Sequence, residues 1–298
     1  MVAIADAMVA ALPRKRNGAV HFIVRLFREK PLGAFGFVVC VVFLFCGLFA
    51  DVLAPYGYNQ ISPVNRLKPP SAKFWFGTDN LGRDMFSRIL YGAQLSVIIG
   101  LSAAGLATVI SVFIGVVSGY LGGKIDMVTQ RFVDAWMCFP DLIILIVVVS
   151  VVGPGMGPVI VILGLLYGIG GSRIVRGAVL SVRENPYIHA AQSSGATTPR
   201  ILWRHVLPNV MAPVIVLFTT RVGAVILAES GLAFLGLGVP PPAPTWGGML
   251  SGSGRSFMYL APWLALAPGL CITVVVYAIN VFGDALRDLL DPRMRGSR

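Results

Sequence analysis

The sequence predicts an all-α membrane protein with six transmembrane helices and both termini in the cytoplasm, and three observations carry that prediction. Of its 298 residues, 56% are hydrophobic and only 12% are charged, whereas a soluble domain carries about 25% charged residues. Six apolar runs lie at residues 33–50, 95–121, 133–152, 158–175, 210–237 and 260–282. Each is long enough to cross a hydrocarbon core of about 30 Å, which takes around 20 helical residues. Lys and Arg fall unevenly between the connections. The runs are continuous, so they read as helices, which pair their backbone groups internally in lipid, and not as the short alternating segments of a barrel.

In chain order, residues 1–32 form a cytoplasmic or interfacial segment. Within it "VHFIVRLFREK" mixes Phe22, Ile23, Leu26 and Phe27 with Arg25, Arg28 and Lys30. That pattern suits a helix lying in the headgroup layer, ended by Pro31. The first span, 33–50, is longer than a secretory h-region of roughly 7–15 residues, and "GLFADVL" is a poor cleavage site, so the span is read as uncleaved. Residues 51–92 form an extracytoplasmic segment broken by Pro55, Pro63, Pro69 and Pro70. The other spans make up a core at 93–283. The third carries Asp134, Pro140 and Asp141 in its first half, where the acids sit near the inner interface or cap a helix broken at the proline. The fourth carries Gly164, Gly168, Gly170 and Gly171, which let neighbouring helices approach closely. Trp246, Tyr259 and Trp263 flank the outer edge of the last two spans and read as interfacial anchors. A cytoplasmic tail, 284–298, ends the chain.

Orientation follows from the basic residues. With both termini inside, 17 of the 24 Lys and Arg face the cytoplasm. Six face outward: Arg66, Lys68, Lys73, Arg83, Arg88 and Arg255. The net charge of +11 therefore reads as basic cytoplasmic loops on a lipid bilayer and not as a nucleic-acid surface. Cys40, Cys46, Cys138 and Cys271 lie in or beside apolar runs without metal-ligand spacing and read as small buried hydrophobes. His21, His189 and His205 have no partner at metal spacing, so no metal site is expected.

One polar stretch stands between the fourth and fifth spans: "NPYIHAAQSSGATTPRILWRHVLPN", residues 185–209. Asn185 can cap a helix with Pro186 at its first position. Gly195 can take the positive φ that ends it. Thr197 or Thr198 can cap a second helix, and Leu207-Pro208 predicts a break before the fifth span. The expected shape is an elbow of two short helices at 185–208, with Arg200 and Arg204 four apart on the second. It has no paired carboxylates, nucleophile or ligand cluster, so it suits gripping by another protein and not catalysis.

This stretch resembles the cytoplasmic coupling loop of ABC-importer permeases, which runs Glu-Ala-Ala, three residues, Gly, nine residues, Ile-x-Leu-Pro. Here His189-Ala190-Ala191 is followed at the same spacings by Gly195 and by His205-Val206-Leu207-Pro208. His189 replaces the usual acid and His205 the usual isoleucine. "FGTDNLGRDMFSRILYGAQLS", residues 76–96, resembles the outer signature of the dipeptide, oligopeptide and nickel permeases, with Gly77, Asp79, Gly82, Arg83 and Asp84 as its motif residues. "ESGLAFLGLGVPPPAPTWGGML", residues 229–250, resembles the second, C-type subunit. The resemblance implies the type I importer permease architecture. It also implies a second homologous permease, two ABC ATPase subunits and an extracytoplasmic substrate-binding protein as partners. ATP and Mg would be held by the ATPases, with no cofactor on this chain. The implied cargo is di- or oligopeptides, with nickel or another small solute as the alternative. "SGYLGGKI", residues 118–125, fails as a phosphate loop, with Ser118 and Ile125 at positions that need Gly and Ser or Thr.

Arg221, Glu229 and Asp134 are the candidate substrate-pathway residues, because charge inside a membrane is costly. Glu229 is eight residues from Arg221, so the two need not pair, and it can instead lie near the outer surface. In the outer motif, Asp79, Arg83 and Asp84 either dock a delivery protein or build local structure. The local version has Leu81, Met85, Ile89 and Leu90 as an apolar face and Asp84 with Arg88 as an i,i+4 pair. A secondary transporter would show an internal repeat, and an intramembrane protease a Ser-His or paired-Asp site at membrane depth; neither pattern is found.

Overall fold

The computed structural model describes residues 18–290, with side chains from Phe22 onward. Arg14, Lys15 and Arg16, the His21 side chain, and Arg293, Arg295 and Arg298 lie outside the described residues. All described regular structure is helical. Helix α1 (Gly18–Glu29) precedes α2 (Pro31–Leu48), and a single residue, Lys30, separates them. The short α3 (Ala50–Leu53) leads into the loop region, and α4 (Met85–Leu121) is the longest helix. Next come α5 (Gly123–Met137), α6 (Asp141–Val152) and α7 (Met156–Arg183). Then come α8 (Pro186–Ser193), α9 (Thr198–Ile201) and α10 (Met211–Phe234). The chain finishes with α11 (Trp246–Met249), α12 (Arg255–Phe257) and α13 (Trp263–Leu290).

Five of these are long and apolar enough to cross a membrane: α2, α4, α7, the run Thr198–Phe234, and α13. The expected third span, 133–152, is not one straight helix. Helix α5 and α6 meet at 84° across Cys138–Pro140. Pro140 precedes α6 and has no N–H to extend a helical ladder from α5. At about 18 Å, the 12-residue α6 reaches only part of the way across a bilayer. Cys138, expected to be buried, is exposed at this break, while Cys40, Cys46 and Cys271 are half-buried. Helix α4 begins at Met85, ten residues before the expected 95, because Asp84 caps it: the Asp84 carboxylate accepts from the Ser87 N–H at 2.8 Å.

The bundle is centred on α4 against α7, which pack most extensively of all helix pairs. Small residues set their approach. Gly115 and Gly119 of α4 lie against Ser172, Val175 and Val179, and Gly164 and Gly168 of α7 lie against Leu106 and Ile110. Gly170, expected to belong to this stripe, faces Met137 at the edge of contact instead. Helix α2 packs on α13 and α10 on both α13 and α4. Ser111 Oγ donates to the Gly168 carbonyl at 2.8 Å inside the α4–α7 seam. Helix α1 is tied to α13 by Leu26, which packs on Ala34, Ala285 and Leu289, and by the Lys30–Asp288 ion pair at 2.5 Å. The Glu29 carboxylate, hydrogen-bonded to Arg25, holds that guanidinium above its usual range.

Helices α2 and α10 run toward one end of the bundle, and α4, α7 and α13 run away from it, so the α4–α7 pair is parallel. That end carries 51–84 and 235–262, here called the loop end. The other carries the elbow at 184–208.

Candidate functional site

The elbow is built by local chemistry that differs from the expected capping. Asn185 does not cap α8. Its side-chain amide turns back and donates to the Ser181 and Val182 carbonyls at 3.1 and 3.0 Å, closing α7. Pro186 then opens α8, where its missing N–H costs nothing. Gly195 has φ +78° and ends α8; Ala196 N–H reaches the Ala191 carbonyl at 3.1 Å across it. Thr197 occupies the capping position of α9 without a side-chain hydrogen bond, and Thr198 lies inside the helix.

Leu207-Pro208 does not break the chain. Residues Leu202–Val206 form a π-helical turn in which the Leu207 N–H bonds the Leu202 carbonyl, and Leu207–Val210 follow as a 3₁₀ turn. The wider turn admits Pro208 and removes the need for its absent N–H. Asn209 Nδ2 then satisfies the His205 carbonyl at 2.6 Å. Thr198–Phe234 is consequently one run of helical turns, so the second arm of the elbow is a continuation of span α10.

The elbow has an apolar root and a polar outer face. Ile188, Ile201 and Val206 are buried against Val116, Tyr120, Val175 and Val179. Gln192 Nε2 donates to the Tyr120 hydroxyl at 3.1 Å. His189, Ala190, Arg200, Arg204 and Pro208 are exposed, Ala191, His205 and Leu207 half-buried, and Trp203 is 74% exposed. No atom lies within 4 Å of where a Gly195 side chain would begin.

The three pathway candidates do not form one cluster. Asp134 pairs with Arg173 and, at 3.4 Å, with Arg131. Arg221 sits with its guanidinium 5.1 Å from the centre of the Tyr167 ring, and its Nε is buried without a hydrogen bond. Glu229 is 1% exposed and lies five residues before the loop-end terminus of α10, with both carboxylate oxygens buried. Sequence reasoning missed Tyr167 and Arg173, and also the Asp126–Arg176 pair, bidentate at 2.6 and 2.5 Å, which ties α5 to α7. These partners are tens of residues apart, so no local spacing announces them.

At the loop end the residues of the outer motif do come together. Asp79, 1% exposed, accepts the Leu81 and Arg83 N–H groups at 2.8 and 2.9 Å and Arg83 Nε at 2.7 Å. Arg88 Nε stands 3.8 Å from the same carboxylate, and its Nη1 donates to the Tyr58 carbonyl at 2.9 Å. The expected Asp84–Arg88 pair is therefore replaced by Asp79–Arg88, because Asp84 is engaged by Ser87. Leu81, expected on the apolar helix face, lies before α4 and is 40% exposed. Gly77 and Gly82 have φ +71° and +75°, and a side chain on Gly82 would collide with the Ser62 carbonyl.

Two tryptophans lock this knot to the spans. Trp263 Nε1 donates to the Thr78 carbonyl at 3.2 Å, and Trp246 Nε1 to the Ile89 carbonyl at 3.0 Å. Trp246 is 2% exposed and fills the space over Gly92, so it is a core plug and not an interfacial anchor. Tyr259 is 97% exposed. Among the described residues, no group of three or more His, Cys, Asp or Glu is placed to hold a metal ion.

A multi-span helical bundle with a rigid polar elbow at one end and a braced loop region at the other is the form of a membrane transport subunit. Residues 111–296 match the family described as the inner membrane component of binding-protein-dependent transport systems, and residues 22–70 match the N-terminal transmembrane domain of oligopeptide transport permease C. The chain belongs to this family of inner-membrane permeases. It is 40% identical over 268 residues to the dipeptide transport system permease protein DppC of Alkalihalophilus pseudofirmus, covering 90% of this chain and 88% of the relative. The oligopeptide transport system permease protein OppC of Bacillus subtilis is 38% identical over 269 residues, covering 90% and 88%. The glutathione transport system permease protein GsiD of Escherichia coli is 37% identical over 295 residues, covering 99% and 97%. A solved chain from the inward-facing MetNI methionine ABC transporter shares the fold, with a TM-score of 0.57 at 18% identity over 70% of this chain and 98% of that one.

Proposed function

We propose that this chain forms half of the translocation pathway of an ATP-driven importer of di- and oligopeptides, and that residues 185–208 are the handle by which an ATPase subunit moves it. In this reading the elbow lies in the cytoplasm. A second homologous permease completes the pathway, two ATPase subunits bind ATP and Mg, and an external binding protein delivers the cargo. Peptide cargo is supported over nickel by the relatives, whose names specify dipeptide, oligopeptide and glutathione transport. Arg221, Glu229 and Asp134 remain the pathway candidates on this chain.

One observation carries the coupling role: the outer arm of the elbow continues into span α10 without a break. A force applied to α9 is therefore passed along a helix and not dissipated in a loop. The apolar root on α4 and α7 makes the elbow a rigid part of the bundle.

Gly195 provides the test. It is exposed, and its φ of +78° is tolerated by Asn but strained for a β-branched residue. Gly195→Val is expected to reduce peptide uptake and transport-stimulated ATP hydrolysis at least tenfold, while Gly195→Asn retains most of both. Membrane insertion should be equal for the two, since no intrachain atom is crowded by either. Wild-type uptake and ATPase stimulation by Gly195→Val in the reconstituted complex would remove the coupling assignment.

A further inference from the structure

At the loop end, a cavity of about 450 Å³ opens between the residue 79–88 knot and the loops around 236–257. We propose that this cavity binds a carboxylate, and, resting on the peptide reading above, that the carboxylate is the C-terminus of the peptide being admitted.

Charge is the first argument. Arg83 and Arg88 line the cavity, and no acidic residue does. Both are largely buried, with side-chain exposures of 12% and 8%. Among the described residues they share a single ion-pair partner, Asp79. Asp84, the other nearby acid, makes no ion pair with either because its carboxylate holds the start of α4. The site thus carries a guanidinium in excess, out of bulk water, where an anion gains most.

Geometry is the second. Arg83 uses Nε on Asp79 and Nη1 on Asn59, and Arg88 uses Nη1 on the Tyr58 carbonyl. Nη2 of each has no hydrogen-bond partner among the described residues, and neither arginine has a buried unsatisfied nitrogen. Their free donors are therefore not sealed in protein, and two planar donor groups beside one opening suit a carboxylate. Asp79 and the Tyr58 carbonyl hold the two arginines in place, which lowers the entropic cost of ordering them on binding.

The remaining wall fits a short peptide end. Ser253 adds a hydroxyl, and Phe257 and Val239 add apolar surface for a side chain. Phe257 is itself held under the Arg66 guanidinium at 5.9 Å. The volume lies in the range of small-ligand sites. The loop end together with the first turns of α4, residues 51–92 and 235–262, has six basic side chains against three acidic ones, so approach of an anion is favoured over that of a cation. This also accounts for basic residues standing on the side where the orientation rule disfavours them: two of the six are components of this cavity.

The test uses the assembled importer in lipid nanodiscs and two probes, N-acetyl-dialanine as its free acid and as its amide, measured by calorimetry. Ser256 is exposed on the cavity wall, so its charge can be changed without disturbing the Asp79 knot. The wild type is expected to bind the acid at least tenfold more tightly than the amide. Ser256→Glu should weaken acid binding at least tenfold, and Ser256→Lys should leave it as tight or tighter. A merely structural role would not give opposite signs at one position. Equal binding of acid and amide by the wild type overturns the proposal, and so does an equal effect of the Glu and Lys variants. Acid-selective binding by an importer that takes up no peptide sustains the cavity assignment and overturns the peptide reading alone.

Discussion

Asp79→Ala is expected to be the most damaging single substitution at the loop end, lowering stability by about 3–5 kcal/mol, the usual cost of removing one partner from a buried charge pair. The carboxylate is 1% exposed and is, among the described residues, the only ion-pair partner of both Arg83 and Arg88. Its removal leaves two largely buried guanidinium groups without their counter-charge. It also leaves the Leu81 and Arg83 N–H groups without their acceptor. The knot braces Thr78 against Trp263 and so joins the loop region to α13, which means the loss should spread into the bundle. Asp79→Asn keeps an oxygen for the two N–H groups but loses the charge and the oxygen that accepts from Arg83 Nε, so it should fall between the wild type and Asp79→Ala. Thermal unfolding followed by a thiol-reactive dye reads this directly, because Cys40, Cys46 and Cys271 are only partly accessible in the fold. A wild-type melting temperature for Asp79→Ala would show that the knot is not a brace.

Gly115→Val should separate α4 from α7, while the same change at Gly105 on the same helix should be tolerated. A Cβ on Gly115 would stand 2.7 Å from the Ser172 carbonyl oxygen and 2.9 Å from the Arg176 nitrogen. Those are backbone atoms of the facing helix and cannot swing aside, so the helices themselves must move. At Gly105 nothing lies within 4 Å. Overpacking of a close seam costs about 1–3 kcal/mol and sometimes more, and membrane helices depend on close packing because lipid supplies little drive for their association. The displacement would also disturb the Asp126–Arg176 bridge, whose arginine supplies one of the clashing backbone atoms. Gly115→Val is therefore expected to lower the melting temperature and the yield of assembled protein clearly below those of Gly105→Val. Equal stability of the two variants would mean that the α4–α7 approach is not set by glycine.

Much of this was legible in the sequence because it depends on short-range chemistry. Membrane helices are announced by apolar runs, since lipid forbids unpaired backbone whatever the neighbours are. The elbow was legible because Pro186 fixes its own φ and Gly195 admits the positive φ that ends a helix. The pairing of polar side chains was less so. An i,i+4 rule put Asp84 with Arg88, but the positive-φ turns at Gly77 and Gly82 fold Asp79 into that place. Trp246 read as an interfacial anchor from its position beside an apolar run, and only the packing of α11 onto α4 puts it over Gly92. The proline at 208 read as a breaker because a single-residue rule assumes an α-helical ladder, which the π-helical turn abandons.

The sequence by itself determined that this chain is a bundle of membrane helices with a polar elbow before its fifth crossing, because hydrophobic length and the φ demands of proline and glycine act within a few residues. The tertiary structure alone decided that the elbow is continuous with α10, that the third crossing is bent by 84°, and that two arginines share one buried carboxylate beside a cavity. Those outcomes depend on which distant segments meet, and the charge and space at a meeting point belong to neither segment alone.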